Sequence, residues 1–479
     1  MEPGLASEGA ETESGPHRKA LEINLDPNVY GTFAEIGAGQ EVADWFLRVG
    51  AASGTVAQTI CAYDKAFSDE RYGQGTRYVS RERLLAMLER EYATLETQLR
   101  QARGREVRFF AFADTVAARN FKGDNEQHGW VGLRFQATSG AAPSDLLLHV
   151  ALRDHDVAQQ RSALGLLGVN VVHAAFRQRP EPVPFLAALF EDLSGERLEV
   201  DVIELGGPAF AGQDARIWCL EALRQGLARA LLFDETGRPE QPSTLLRKRS
   251  LVVEGRTVAT ETANAKTLVA AAFAQLQREL RPDHEPMLLL DVRLEQLTSS
   301  GPGSAAERIR ELTTRAPVIL TDEKALHPIV EYLRRYTSAP IRLVTSTAVF
   351  ARLLSGSYDT LPGALLESLG KLLVEDVRLY VHPISLDTFL ATTGGRVGAA
   401  SSISTVSLDD LRCEPPWSIC SGTCEERSGS FHSSSPEKLF WLQLPPRRVG
   451  QPGCGIARLG AIPHGRSAPT LWSLVLGAI

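Results

Sequence analysis

Glycine, acid and histidine residues stand at a few places in this chain where chemistry could be done. Gly37-Ala38-Gly39 separates a short extended run, Thr32 to Ile36, from a helical pattern with apolar residues at Val42, Ala43, Phe46 and Val49. Glycines in such a corner let a backbone approach a pyrophosphate, and the helix N-terminus attracts the charge. Asp64 follows the next extended run, Thr55 to Tyr63, where an acid would hold a ribose. Gly37, Gly39 and Asp64 are thus the candidate cofactor-binding residues, and the cofactor itself is not specified. Two residues run against the pattern. Val42 fills the place of the fingerprint's third glycine, and Glu35 interrupts the strand. The same glycines would also serve a plain tight turn.

His128 opens a strand pattern, His128 to Phe135, beside a polar loop carrying Asp124, Asn125 and Glu126. A histidine so placed is a candidate general base, and equally a hydrogen-bonded structural residue. Further along, Asp291, Thr321, Asp322, Thr345, Ser346 and His382 each fall at the end of an apolar run. In open α/β sheets ligands bind outside the carboxyl ends of the strands, which makes this series a second candidate site with Asp291 as its candidate catalytic residue. His149, His155 and His173 have no metal-ligand spacing, and Cys413, Cys420 and Cys424 contain no Cys-x-x-Cys pair, so no metal site is expected. Neither Gly-x-x-x-x-Gly-Lys-Ser/Thr nor Gly-x-Ser-x-Gly occurs, which disfavours the common nucleotide and serine hydrolases.

The elements that must carry these residues change character along the chain. Met1 to about Lys19 reads as a disordered leader with no secretory pattern. Leu21 to Asp26 alternates as a short strand would. Ser80 caps a helix whose apolar face is Leu84, Leu85, Leu88, Tyr92, Leu95 and Leu99. Strands at Val107 to Asp114, His128 to Phe135 and Leu146 to Leu152 follow one another without helices, so an antiparallel or mixed sheet is expected. Residues 20–256 form one mixed α/β domain on this reading. Residues 257–393 form a second, parallel domain, with strands at 287–291, 318–320, 341–344 and 377–381 alternating with helices. After about Gly394 the periodicity vanishes while four cysteines and three tryptophans appear, so 394–479 reads as a disordered tail foreign to the fold, as a frame-shifted gene would produce.

The whole chain is therefore expected to be α/β. Its 479 residues allow two or three domains, and 43% hydrophobic with 23% charged residues is ordinary for a globular protein. A net charge of −7 gives no basic footprint for nucleic acid. No run approaches the ~18 apolar residues of a membrane span. The default compartment is the cytoplasm, and the expected partner is a small phosphorylated molecule or nucleotide.

Several stretches resemble a known bacterial family. They are Leu21–Pro27, Tyr30–Ala43, Ala62–Asp64, Phe112–Ala117, His128–Trp130, Leu167–Asn170 and Gly207–Gly212. The resemblance covers about residues 20–390, and members of that family often carry the label nicotinate-nucleotide adenylyltransferase. That label implies nucleotidyl transfer with ATP phosphates held by two histidines in Gly-x-Phe-x-Pro-x-His-x-x-His. Here Gly31-Thr32-Phe33 continues Ala-Glu-Ile-Gly-Ala-Gly without histidine, so no site residue carries across. Glu35 to Gly39 also resembles the first motif of S-adenosylmethionine enzymes. The order Asp291, Thr321, Lys371 resembles the haloacid-dehalogenase phosphatases, but Arg293 replaces the second carboxylate and cannot donate a proton. The resulting expectation is a protein that binds a nucleotide or phosphorylated metabolite, enzymatic or not. The alternatives are a scaffold or regulatory protein, or a degenerate dehalogenase-like or methyltransferase-like domain.

Overall fold

The computed structural model describes residues 15–75, 77–104, 106–255, 263–280, 286–298, 301–323, 325–354, 361–382 and 384–385, with three short stretches at 405–406, 440–443 and 458–461. The protein is α/β and divides into two units. The first holds residues 1–232, 238–241 and 300–307, and the second holds 233–237, 242–299 and 308–479.

The first unit is built on β1 (Val29–Ile36), β2 (Val56–Ile60), β3 (Arg108–Ala117), β4 (His128–Phe135), β5 (Ser144–Leu152) and β6 (Leu198–Gly206). They form one sheet in the order β2-β1-β3-β4-β5-β6. β1 is parallel to β2 and β3, and each later neighbour is antiparallel. The connections explain the mixture, since parallel strands need crossovers and antiparallel ones need only hairpins. α1 (Gly15–Asn24) precedes β1, and α2 (Glu41–Arg48), α3 (Lys65–Tyr72) and α4 (Arg81–Arg103) join the first three strands. α5 (Val157–Arg177) and α6 (Pro182–Leu189) lie between β5 and β6, and α7 (Ala215–Arg224) follows.

Alternation along the strands gives the sheet two apolar faces. On one, Tyr30, Ala34, Ala111, Ala113, Trp130 and Leu147 pack with Leu84, Met87, Leu88, Tyr92 and Leu95 of α4. As expected, Ser80 caps α4 by accepting from the Arg83 amide at 3.2 Å. On the other, Phe33 meets Phe46 of α2 at 4.9 Å between ring centres, and Phe110 meets Phe176 of α5 at 5.8 Å. The strand expected at Leu21 to Asp26 is instead the end of α1. Ala20, Ile23 and Asn24 are buried at helical spacing, whereas Leu25 is exposed. Lys19 fixes this helix, donating to Asn170 Oδ1 at 2.7 Å and pairing with Glu191 at 2.9 Å.

β7 (Ala230–Phe233) spans the division in the chain, and α8 (Pro242–Leu246) follows it. The second unit contains β8 (Leu251–Gly255), α9 (Ala263–Glu279), β9 (Met287–Arg293), α10 (Leu294–Thr298) and β10 (Val318–Thr321), and α11 (Pro302–Thr313) spans the division, its residues through Glu307 falling in the first unit. The second unit continues with α12 (His327–Arg334), β11 (Ile341–Ser346), α13 (Thr347–Leu354), α14 (Ala364–Leu372) and β12 (Val377–His382). Strands β12-β11-β8-β9-β10 stand side by side in that order, all parallel, as the short buried runs predict. A boundary at residue 256 would cut β8 from this sheet. Its pairing with β9 and β11 places it in the middle.

β13 (Ile384–Ser385) pairs with β14 (Thr405–Val406), and β15 (Phe440–Gln443) lies antiparallel to β12 and to β16 (Arg458–Ala461). The rest of the expected tail, its four cysteines included, lies outside the described residues, as do residues 1–14. Among the described residues no helix is long and apolar enough to cross a membrane.

One buried cluster ties α3 to α4. Glu91 is fully buried and accepts from Arg71 at 2.8 and 3.0 Å, from the Tyr72 hydroxyl at 2.9 Å and from Gln58 at 3.1 Å. Glu91→Ala leaves those donors stranded and should cost about 3 kcal/mol, the range for breaking a buried pair. Urea denaturation measures it, and a loss below about 1 kcal/mol would mean the cluster adds no more than a surface pair.

Candidate functional site

The glycine corner is already filled. Gly37 has φ +100° and Gly39 +104°, values that favour glycine. A Cβ on Gly37 would lie 2.1 Å from the Val116 carbonyl oxygen, so this turn is pressed against β3. A Cβ on Gly39 would lie 2.8 Å from the Arg161 guanidinium, which pairs with Glu41. The first turn of α2 does bind an anion, but the anion is the chain's own. The amides of Val42 and Ala43 donate to the two oxygens of Glu35 at 3.1 and 2.9 Å. A carboxylate there satisfies helix-end donors and lies at the positive end of the dipole.

Glu35 is only 1% exposed, and all eight residues of β1 are buried. The residue that seems to spoil the strand is the one that closes the corner. Its register neighbour on β3 is Asp114, also buried, whose Oδ1 accepts from the Ile36 amide at 3.2 Å. Oδ2 of Asp114 has no hydrogen-bond partner. Burial, and then the carboxylates of Glu41 and Asp44, push Glu35 up to about 7 against the pull of its two amides. Burial and the neighbouring Glu35 raise Asp114 well above the ordinary carboxyl range. The thiol of Cys61 is pushed up by burial and by both acids. Two adjacent buried carboxyls cannot both ionise cheaply, so the pair retains a proton near neutrality. Asp64 serves another turn: it caps α3, accepting from the Phe67 amide at 3.0 Å.

His128 stands in a different group, on the sheet face that α4 covers. Its Nδ1 lies 2.9 Å from Nε2 of His149, and Nδ1 of His149 lies 2.5 Å from Asp201. His149 and Asp201 are each 2% exposed. The three residues come from three successive antiparallel strands. A bulge in β6 makes the meeting geometrically feasible. His149 pairs with Val202 and Val150 with Val200, leaving Asp201 as the extra residue. A bulge re-aims a side chain in this way. Trp130 packs edge-on against His149 at 5.2 Å, and its indole donates to Gln241 at 3.2 Å. Glu126 approaches Nε2 of His128 at 3.9 Å. Asp124 and Asn125 instead close their own loop, with Asn125 donating to the Ala118 carbonyl and Asp124 accepting from Asn120. The sequence singles out His128 but not His149 or Asp201, because no spacing announces partners 21 and 52 residues apart.

The strand ends of the second unit meet at a reversal of order. β8, β9 and β10 step outward one way, and β11 returns to the far side of β8. In open α/β sheets, ligands bind outside the carboxyl ends of the strands at such a reversal. Gly255 ends β8, and Thr345 and Ser346 end β11 and lead directly into α13. Asp291 pairs in register with Gly255, and Arg293 with Thr321. By alternation Gly255, Asp291, Arg293 and Thr321 share the face opposite the core cluster of Val252, Val344 and Tyr380. Oδ1 of Asp291 and Oγ1 of Thr321 are buried without hydrogen-bond partners. Burial pushes Asp291 up to about 6, with Arg293 pulling the other way. Arg352 of α13 is half-buried, and burial followed by repulsion from Arg293 lowers it. The side chain of His382 is outside the described residues.

No protein-family model matches the chain, and no curated protein does. Among solved structures, the neighbours are CinA-superfamily proteins. The competence/damage-inducible protein CihA of Agrobacterium tumefaciens is 19% identical, with 33% of this chain and 94% of that one covered at a TM-score of 0.25. The CinA-superfamily protein of Enterobacter cloacae is 12% identical over 36% and 97%, with a TM-score of 0.26. That of Escherichia coli is 13% identical over 35% and 91%, with a TM-score of 0.24. Likenesses this slight lend no weight to any activity.

The acid pair makes stability depend on pH. Between the ordinary Glu value of 4.5 and about 7 the folded state binds more protons than the unfolded state. Stability from this source is complete below that window and is lost as pH rises through it. Glu35→Gln, which keeps an acceptor for the α2 amides, should flatten the curve and exceed wild type at pH 8 by up to roughly 3 kcal/mol. Urea titrations at pH 5 to 8 measure this. A wild-type profile already flat over that range would contradict it.

Proposed function

We propose that the second unit binds a nucleotide or a related phosphorylated metabolite outside the carboxyl ends of β8 and β11. One observation carries the reading. At the strand-order reversal, hydroxyls and two guanidiniums gather on the carboxyl side of the sheet. Ser346 and Thr347 stand where α13 begins, Ser346 Oγ accepting from the Val349 amide at 3.4 Å, and a helix N-terminus favours negative charge. Arg293 and Arg352 supply positive charge suited to phosphate oxygens. Asp291 and Thr321 offer buried polar atoms that a ribose or base could pair with. Gly37 and Gly39 are not the phosphate cradle on this reading, because Glu35 holds the amides of α2. For the same reason, and because no histidine stands in that corner, adenylyl transfer is not proposed. Nor is phosphatase chemistry, since Arg293 replaces the second acid.

A thermal-shift panel of ATP, nicotinate mononucleotide, NAD and S-adenosylmethionine tests the proposal. A ligand at 100 times its dissociation constant adds about 2.7 kcal/mol and a visible rise in Tm. Arg352→Gln should weaken the active ligand by roughly 10-fold or more, the value of one charge-assisted hydrogen bond. No stabilisation by any compound at millimolar concentration would count against the site, as would full stabilisation in Arg352→Gln. A response to S-adenosylmethionine alone would favour the methyltransferase-like alternative.

A further inference from the structure

The two ends of the first unit's sheet are finished differently. At one end β6 carries the charges of Glu199, Asp201 and Glu204, and the chain covers it. The Val200 amide donates to the Leu227 carbonyl at 2.8 Å, and Arg229 pairs with Glu199 at 3.2 Å. Charges and a covering segment keep an edge strand from pairing with another chain. At the other end stands β2. Its sequence, Val-Ala-Gln-Thr-Ile, has no charge and no proline, and all five residues are partly exposed. Among the described residues it pairs with β1 alone. The register with β1 slips at Ala57 and then runs regularly through Gln58, Thr59 and Ile60. Half of the large apolar side chains that stand exposed among the described residues lie around this edge: Leu25, Leu47, Tyr63 and Phe67, each more than half exposed. Leu25 is at the amino end of β2, since the Asn24 carbonyl accepts from the Thr55 hydroxyl at 3.2 Å. Tyr63 and Phe67 follow the carboxyl end. Leu47 is on α2, which touches β2. α5 packs on the Glu41, Val42 and Trp45 side of α2, and Phe46 turns to Phe33, so helical spacing leaves Leu47 on the side away from α5.

We propose that the outer edge of β2 is an interface for a second copy of this chain, whose β2 lies antiparallel to the first across a two-fold axis near Thr59. One sheet then continues through both copies. A two-fold contact uses the same patch twice, so the patch must complement itself. This one does. Antiparallel pairing about Thr59 sets Thr55 of one copy opposite Tyr63 of the other, which brings the exposed Leu25 and Tyr63 together at both ends. The same rotation keeps each face of the sheet with its like, so the two α2 helices run antiparallel beside each other. The first turn of α2 is acidic, with Glu41 and Asp44, and the last turn carries Arg48. Each basic end then lies along the other copy's acidic end, with the two Leu47 side chains between them. Asp44 and Arg48 pair within one copy while about half-exposed, so exchanging partners across the axis strands no buried charge. A lone strand from a different protein would satisfy the edge of β2 but leave Leu47 and Arg48 uncovered. The second copy covers all three.

Sedimentation equilibrium of the full chain between about 1 and 100 μM tests the interface. The mass should rise toward that of two chains, and hydrogen exchange in residues 55–61 should slow as it does. Leu47→Glu should raise the dissociation constant about tenfold or more, as loss of a desolvated apolar contact does. Arg48→Glu should raise it by setting acid against acid. Adding Asp44→Lys to Arg48→Glu should recover part of the loss, because the double change reverses both ends of α2 together. Val183→Glu, at a valine of α6 that is also half exposed, should leave the constant unchanged. The altered side chains are exposed, so the fold itself is not at stake. A chain that stays monomeric over the whole range would overturn the proposal and leave the edge to a strand of a different protein. A dimer indifferent to Leu47→Glu and Arg48→Glu would overturn it as well, and so would a double change with no recovery.

Discussion

The carboxylate of Glu35 on the first turn of α2 is the interaction on which the first unit turns. It lets a buried strand carry an acid, ends that strand in a two-glycine corner, and sets where the next helix begins. A buried charge is tolerated only where donors surround it or a proton neutralises it. Glu35 has the donors and Asp114 the means to hold the proton. With α2 placed in this way, Phe46 reaches Phe33, and that face of the sheet is closed.

The same constraint decides where an external ligand cannot go. A helix N-terminus after a glycine turn attracts phosphate only while its amides are available. Here they are committed to the chain, so the corner has the outline of a nucleotide cradle and the bonding of a cap. In the second unit Ser346 Oγ accepts from the Val349 amide at 3.4 Å, and Asp291 and Thr321 retain buried atoms with no hydrogen bond. The His128 group is a third kind of polar arrangement. Its members hydrogen-bond to one another in a line.

Much of the architecture was legible in the residues. The parallel strands of the second unit are short and apolar because both faces are covered, and His128 to Phe135 is the expected strand, buried on both faces. Other elements were hidden for physical reasons. Leu21 to Asp26 fits a two-residue period as well as a helical one, and docking through Lys19 and Ile23 decides for the helix. Glu35 looked like a defect because its role depends on the chain folding back seven and eight residues later. His149 and Asp201 gain their meaning only from strand register and one bulge, neither of which a spacing rule can read.

Amide mapping by transverse-relaxation-optimised NMR, with ATP or inorganic phosphate added to the full chain, tests the central claim most directly. The account predicts that Val42 and Ala43 keep their shifts, because Glu35 remains their partner, while amides at Gly255 and Thr345 to Thr347 respond. Displacement of Val42 and Ala43 by phosphate, with the second unit silent, would contradict it.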